Sequence, residues 1–107
     1  MNLVGSNYLT KTETDVELFR RAALVTVDSK EQAKLEAGDF VAALNEGVLK
    51  WSDILEFAPL LVGRYPGRES PEAITVFKSL GLGVQDVALA VKLVDLARKQ
   101  SMGREIL

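Results

Sequence analysis

The chain contains no cysteine and no histidine. Disulfide staples, thiolate nucleophiles, zinc sites of the usual kind and imidazole acid-base chemistry are thereby excluded. Positive charge is not in excess: thirteen Lys and Arg face fifteen Asp and Glu, for a formal net charge of -2. That balance lacks the basic surplus of a nucleic-acid or anionic-membrane binder. No uninterrupted apolar run approaches the length that spans a bilayer, and Met1-Asn2-Leu3-Val4-Gly5 carries no basic region followed by an apolar stretch. Neither a membrane span nor a secretory leader is expected, which points to a cytoplasmic protein with no nucleic acid and no membrane among its partners. Chemistry, where it occurs, falls to carboxylates, amines, hydroxyls, amides or a cofactor. What is present is 107 residues, 48% apolar and 26% charged, the composition of a soluble globular domain and the length of one small domain or a piece of a larger one.

The first third reads as strand, helix, strand. Asn2-Leu3-Val4 is a short extended run stopped by Gly5-Ser6-Asn7. Thr14 and Glu17 have the spacing of a capping box, and Val16, Phe19, Ala22 and Ala23 then form the buried stripe of a helix. The run Leu24-Val25-Thr26-Val27-Asp28, β-branched and mostly apolar, suits a strand covered on both faces in a parallel sheet. Ser29 and Gln32 mark a second helix start, with an end expected near Gly38, and a further helix runs from Phe40 towards Gly47. Trp51-Ser52-Asp53 reads as a staple and cap for a short helix over 54–61. Pro66-Gly67 suits the centre of a type II turn. The last third predicts a strand over 74–77, a tight turn over 79–83, and a helix over 84–100 whose apolar stripe is wide enough to need more than one partner surface.

Ligands of open parallel sheets bind outside the carboxyl ends of the strands, and Gly5-Ser6-Asn7 lies at such an end with Lys11 in the same loop. An ordinary polar turn uses the same residue types. Gly81-Leu82-Gly83 approaches a dinucleotide fingerprint, but Asp86 stands where a third glycine belongs and puts a negative charge against a pyrophosphate. It reads as a tight turn with a favourable first-turn acid, and Ser79, at the end of its own strand, is the better ligand contact. Arg64, Arg68 and Glu69 either clamp a carboxylate or form a solvated ion pair. Asp28 either contacts a ribose, caps the next helix or faces water. Trp51 and Phe57 read as core, because no basic patch accompanies them.

Taken in order, Val4-Gly5-Ser6-Asn7, Lys11-Thr12-Glu13, Val25-Thr26-Val27-Asp28-Ser29, Gln32-Ala33, Glu36-Ala37-Gly38-Asp39, Gly63-Arg64-Tyr65-Pro66-Gly67-Arg68 and Thr75-Val76-Phe77-Lys78-Ser79-Leu80-Gly81 with Gln85-Asp86 resemble the carboxyl-terminal portion of the ornithine cyclodeaminase/mu-crystallin family. The likeness covers nearly the whole chain. It implies an α/β fold: a partial Rossmann-like parallel sheet, built on the βαβ unit, followed by helices and a C-terminal strand-helix dimerisation element. Residues 1–62 would be the later part of the NAD or NADP domain, and residues 63–107 the later part of the substrate and dimerisation domain of a homodimer. Members pass hydride between nicotinamide and an amino-acid or imine carbon. The resemblance implies that Val4, Gly5, Ser6 and Asn7 lie against the nicotinamide end of the cofactor with Lys11 nearby. It implies too that Ser79 faces the cofactor, that Leu80 faces the substrate, and that Asn7 occupies the catalytic position.

Cyclodeaminases carry an aspartate there as a proton relay, a role that asparagine cannot fill at neutral pH. The family's glycine-rich fingerprint, its ribose-binding acid and its substrate-binding Arg and Lys lie upstream of the segment matched here. Half a site is expected to hold a dinucleotide weakly and to be inactive alone. A different reading is a non-enzymatic interaction module whose helix 84–100 packs on a partner chain.

Overall fold

A computed structural model describes residues 1–104 and 106. The elements run β1 (Asn2–Leu3), α1 (Val16–Arg21), β2 (Ala22–Val27), α2 (Lys30–Glu36), α3 (Gly38–Asn45), β3 (Ile54–Glu56), α4 (Phe57–Leu61), β4 (Ile74–Lys78) and α5 (Gly83–Lys99). The four strands form one sheet in the order β1-β4-β2-β3, and every pairing is parallel. The α/β class and parallel sheet expected from the βαβ pattern are present. The last strand is inserted between the first two, so the sheet itself crosses the boundary expected at residues 62 and 63. Of that second segment, residues 105 and 107 lie outside the described residues.

Alternation along the strands sorts side chains to two faces. Val25 sits opposite both Ile54 and Val76, and Val27 opposite Lys78. This row meets Phe19, Ala33, Phe40 and Ala43 in the core. Phe40, with no exposed surface, packs edge-on against Phe19 at 5.6 Å and Trp51 at 6.1 Å between ring centroids. On the opposite face the Phe57 ring of α4 lies 4.6 Å from that of Phe77.

Several local expectations shift. The N-cap of α1 is Asp15, whose side chain accepts from Leu18 N, and not Thr14. Ala22 leaves the helix to pair with Ile74, and a register irregularity follows between Ala22 and Leu24. Sheet pairing here overrides the helix preference of alanine. Ser29 caps α2 as expected, accepting from Gln32 N at 3.3 Å. Gly38 opens α3 instead of ending α2. Ile54, Leu55 and Glu56 form an edge strand beside β2, which leaves only Phe57–Leu61 helical and no capping role for Ser52 or Asp53.

Helix α5 projects from this body. Its 17 residues include none that are buried, and Val84, Val87, Leu89, Val91, Leu93 and Val94 are all exposed. The Cα radius of gyration is 17.2 Å, against about 13 Å for a compact chain of this length. No helix among the described residues is long and apolar enough to cross a membrane.

Candidate functional site

Because all four strands are parallel, their carboxyl ends lie along one edge, and three loops leave from it. Gly5-Ser6-Asn7 follows β1, Asp28-Ser29 follows β2, and Ser79-Leu80-Gly81 follows β4. Backbone hydrogen bonds tie them together: Ser79 N donates to Leu3 O at 3.0 Å and Asp28 N to Lys78 O at 3.4 Å. The structure thus brings the two expected cofactor loops side by side.

A carboxylate organises each loop. Glu13 accepts from Gly5 N at 2.8 Å and Ser6 N at 3.2 Å. A Cβ on residue 5 would sit 2.7 Å from Glu13 Oε2, so glycine is what allows the approach. Asp28 Oδ2 collects Ser79 Oγ at 3.2 Å, Leu80 N at 2.8 Å and Gly81 N at 3.2 Å, while Oδ1 accepts from Ser29 N at 3.1 Å. Asp28 is therefore a cross-link between the ends of β2 and β4. Gly81 takes the positive φ (82°) of the turn into α5.

Beneath the first loop lies a residue that sequence reasoning passed over. Lys78, the last residue of β4, has no exposed surface. Its ammonium donates to Ser6 O and to Glu13 Oε1 at 3.0 Å, and pairs with Asp39 Oδ2 at 2.8 Å. Asp39, also buried, accepts the Glu13 N–H on its other oxygen. The available signal was a lysine at the buried parity, in step with Ile74 and Val76, of the strand Ile74-Thr75-Val76-Phe77-Lys78.

The hydrogen bond from Lys78 holds the Glu13 carboxyl below its ordinary 4.5; burial opposes this, and the Gly5 amide assists. Burial alone would lower Lys78, but its bonds to Asp39 and Glu13 outweigh that and raise it above 10.5. A lowered carboxylate contributes stability that is present above its unfolded value and lost as pH falls through the folded one; a raised ammonium contributes below its unfolded value and loses it as pH rises through the folded one. The pair is therefore intact from about pH 5 to pH 10. Thermal unfolding followed by circular dichroism should show a midpoint that declines below pH 4.5, with a shallower decline in Glu13→Gln. An equally steep acid decline in that variant would assign the effect to other carboxylates.

Of the expected site residues, Val4, Gly5, Asn7 and Lys11 are exposed at the loop surface and Ser6 and Ser79 are half-buried. Ser6 Oγ is buried with no hydrogen-bond partner among the described residues. A buried hydroxyl without a partner is costly unless a ligand supplies one, so this atom fits a cofactor contact at the loop. Lys11 lies over the Tyr8 ring, 5.0 Å from its centroid. Leu80 turns inward: it is 5% exposed and packed in the core, because it continues the buried alternation of Val76 and Lys78. Arg68 folds its loop onto β4 by donating to Ala73 O at 2.7 Å and Thr75 Oγ1 at 2.8 Å, which commits its guanidinium away from any carboxylate ligand.

Known proteins resemble this chain in sequence and fold. A Delta(1)-pyrroline-2-carboxylate reductase of Bacillus cereus is 39% identical over 107 residues, covering 99% of this chain and 33% of that protein. The structure of the Thermococcus litoralis Delta(1)-pyrroline-2-carboxylate reductase in complex with NADH and L-proline superposes with a TM-score of 0.80 at 35% identity, over 98% of this chain and 32% of that one. An archaeal alanine dehydrogenase dimer with bound NAD gives a TM-score of 0.75 at 36% identity, over 99% and 33%. The chain spans about a third of the length of the relatives it matches. The sequence profile of one family matches residues 1–101, from β1 through the end of α5, and by that match the chain belongs to the ornithine cyclodeaminase/mu-crystallin family.

Proposed function

We propose that this chain is the nicotinamide-side portion of an NAD- or NADP-dependent oxidoreductase acting on a cyclic imine or an amino acid. The observation that carries the reading is the buried Ser6 hydroxyl without a partner, in a loop at the carboxyl edge of a parallel sheet, where dinucleotides bind. The nicotinamide, when bound, supplies the hydride; the chain's own residues bind and orient. Gly5 and Ser6 present backbone and hydroxyl, Val4 gives the loop an apolar side, Lys11 adds positive charge, and Ser79 faces the same edge from the neighbouring loop. Asn7 donates and accepts hydrogen bonds beside the reacting carbon without exchanging a proton. That favours hydride transfer over ornithine cyclisation. Leu80, buried as it is, acts on the substrate by setting the floor of the loop.

The sheet through Gly81 then belongs to the cofactor unit, and α5 to the second, dimer-forming domain of a cytoplasmic homodimer. A second reading is favoured by α5 itself, whose apolar residues are exposed: a non-enzymatic oligomerisation module. Fluorescence titration with NADH separates the two. The native protein should bind NADH and reduce Delta(1)-pyrroline-2-carboxylate, whereas the 107 residues alone should bind only weakly. Micromolar binding by the isolated chain would overturn the half-site argument. A native protein that assembles but neither binds NADH nor reduces the imine would favour the module.

A further inference from the structure

We propose that Lys78 is a positioning residue for the cofactor loop, fixing the Ser6–Asn7 peptide from the centre of the sheet. The inference deepens the functional reading above and rests on it. An ammonium has three N–H donors; two are hydrogen-bonded, to the Ser6 carbonyl and Glu13 Oε1, and Asp39 Oδ2 stands 2.8 Å away as its ion-pair partner. The Ser6 carbonyl belongs to the peptide that leads into Asn7. Peptide planarity means that holding this oxygen also sets the direction of the Asn7 N–H. The same lysine acts a second time through Glu13, whose two oxygens take the Gly5 and Ser6 amides. Carbonyl and amides of one tight turn are thus held from a single buried charge.

Core packing does not ask for a charge at this position. Burying an ammonium costs several kcal/mol before its partners recover it, and the strand's other buried member, Val76, is apolar. A methionine would fill similar space. What it cannot do is reach Ser6 O and Glu13 with directed donors. Lys78 also stands in register with Leu3, and its neighbour Ser79 donates to Leu3 O. The side chain and the main chain of β4 therefore fix opposite ends of the segment from Leu3 to Ser6.

The experiment compares Lys78→Met, Lys78→Arg and Glu13→Ala in the native protein, first by backbone amide hydrogen exchange. Lys78→Met should speed exchange at Gly5 and Ser6 by about tenfold or more, while Val25 and Val76 stay as protected as in the parent. Unchanged exchange at Gly5 and Ser6, or an equal rise throughout the sheet, would overturn the proposal. If Lys78→Met fails to fold, Lys78→Gln, which keeps a polar end of similar length but no charge, must show the same local release; Glu13→Ala, which removes the amides' acceptors directly, gives the full extent of release for comparison. The second measurement is NADH-dependent imine reduction with NADH deuterated at nicotinamide C4. Misplacement of the loop should lower kcat more than it raises KM for NADH and should increase the primary isotope effect, with partial recovery in Lys78→Arg. A fall in kcat with an unchanged isotope effect would make Lys78 merely structural. A parent protein that neither binds NADH nor reduces the imine removes the functional reading, and the exchange measurement still decides whether Lys78 holds the loop.

Discussion

Replacing Asp39 by alanine is expected to lower the unfolding free energy by about 3–5 kcal/mol, the range for breaking one side of a buried ion pair. Both members of the pair have side chains with no exposed surface, and they stand 2.8 Å apart. Removal of the carboxylate leaves the Lys78 ammonium buried with only Glu13 and the Ser6 carbonyl. It also strips the Glu13 N–H of its acceptor. A smaller contribution, about 0.5 kcal/mol, comes from losing an acid in the first turn of α3. Against a total stability of about 5–15 kcal/mol for a domain of this size, the loss is severe. Asp39→Asn, which keeps an oxygen for the Glu13 amide but not the charge, should fall between parent and alanine variant. Urea unfolding at neutral pH reads the difference as a shift in midpoint at constant slope. Equal midpoints for parent and Asp39→Ala would mean that the pair contributes nothing net.

Gly38→Ala should cost about 3 kcal/mol, near the upper end for overpacking a rigid site. At an exposed position in the first turn of a helix, the same change would gain up to about 1 kcal/mol from helix propensity, so the sign is decided by space. The added Cβ would lie 2.8 Å from Leu9 O and closer still to the carbonyl oxygens of Tyr8 and Lys11. All three are main chain, and none can swing aside. Relief requires the loop carrying Tyr8 to Lys11 to lift off α3, which moves the segment directly after Asn7. The expected thermal midpoint drops by roughly 12 °C, at about 4 °C per kcal/mol, and dinucleotide binding by the native protein weakens with it. A midpoint equal to or above the parent's would show that the loop yields freely. Gly5 offers a contrast, since the atom it crowds is the end of the Glu13 side chain, which yields by loosening its bonds to the Gly5 and Ser6 amides and Lys78 and not by moving main chain.

Much of this architecture was legible in the residues. The β-branched run at 24–28 and the Gly5-Ser6-Asn7 stop are local signals with local causes, and the parallel sheet and its loop follow from them. Ser29 caps α2 because a short hydroxyl side chain reaches the third amide. Other features were not local. Ile54, Leu55 and Glu56 carry no periodicity that separates strand from helix over three residues, and only the free edge of β2 makes them a strand. Thr14 and Asp15 are both competent caps, and the chain's entry into α1 selects the acid. Lys78 is passed over in the sequence for a related reason: its partners Glu13 and Asp39 lie 65 and 39 positions away. No spacing rule connects three such residues; the insertion of β4 does.

That insertion also bears on how the sheet assembles in time. Asn2 pairs with Phe77, and Leu3 with Lys78, so β1 and β4 meet across 75 positions of chain. Among the described strands β2 can find β3 early, whereas β1 pairs with β4 and must wait for its residues. Contacts of such large sequence separation close late and slowly, because the chain entropy of a long loop is lost before any pairing rewards it. The β1–β4 pairing, which brings the Gly5-Ser6-Asn7 and Ser79-Leu80-Gly81 loops together, is therefore a late step in assembling the described strands.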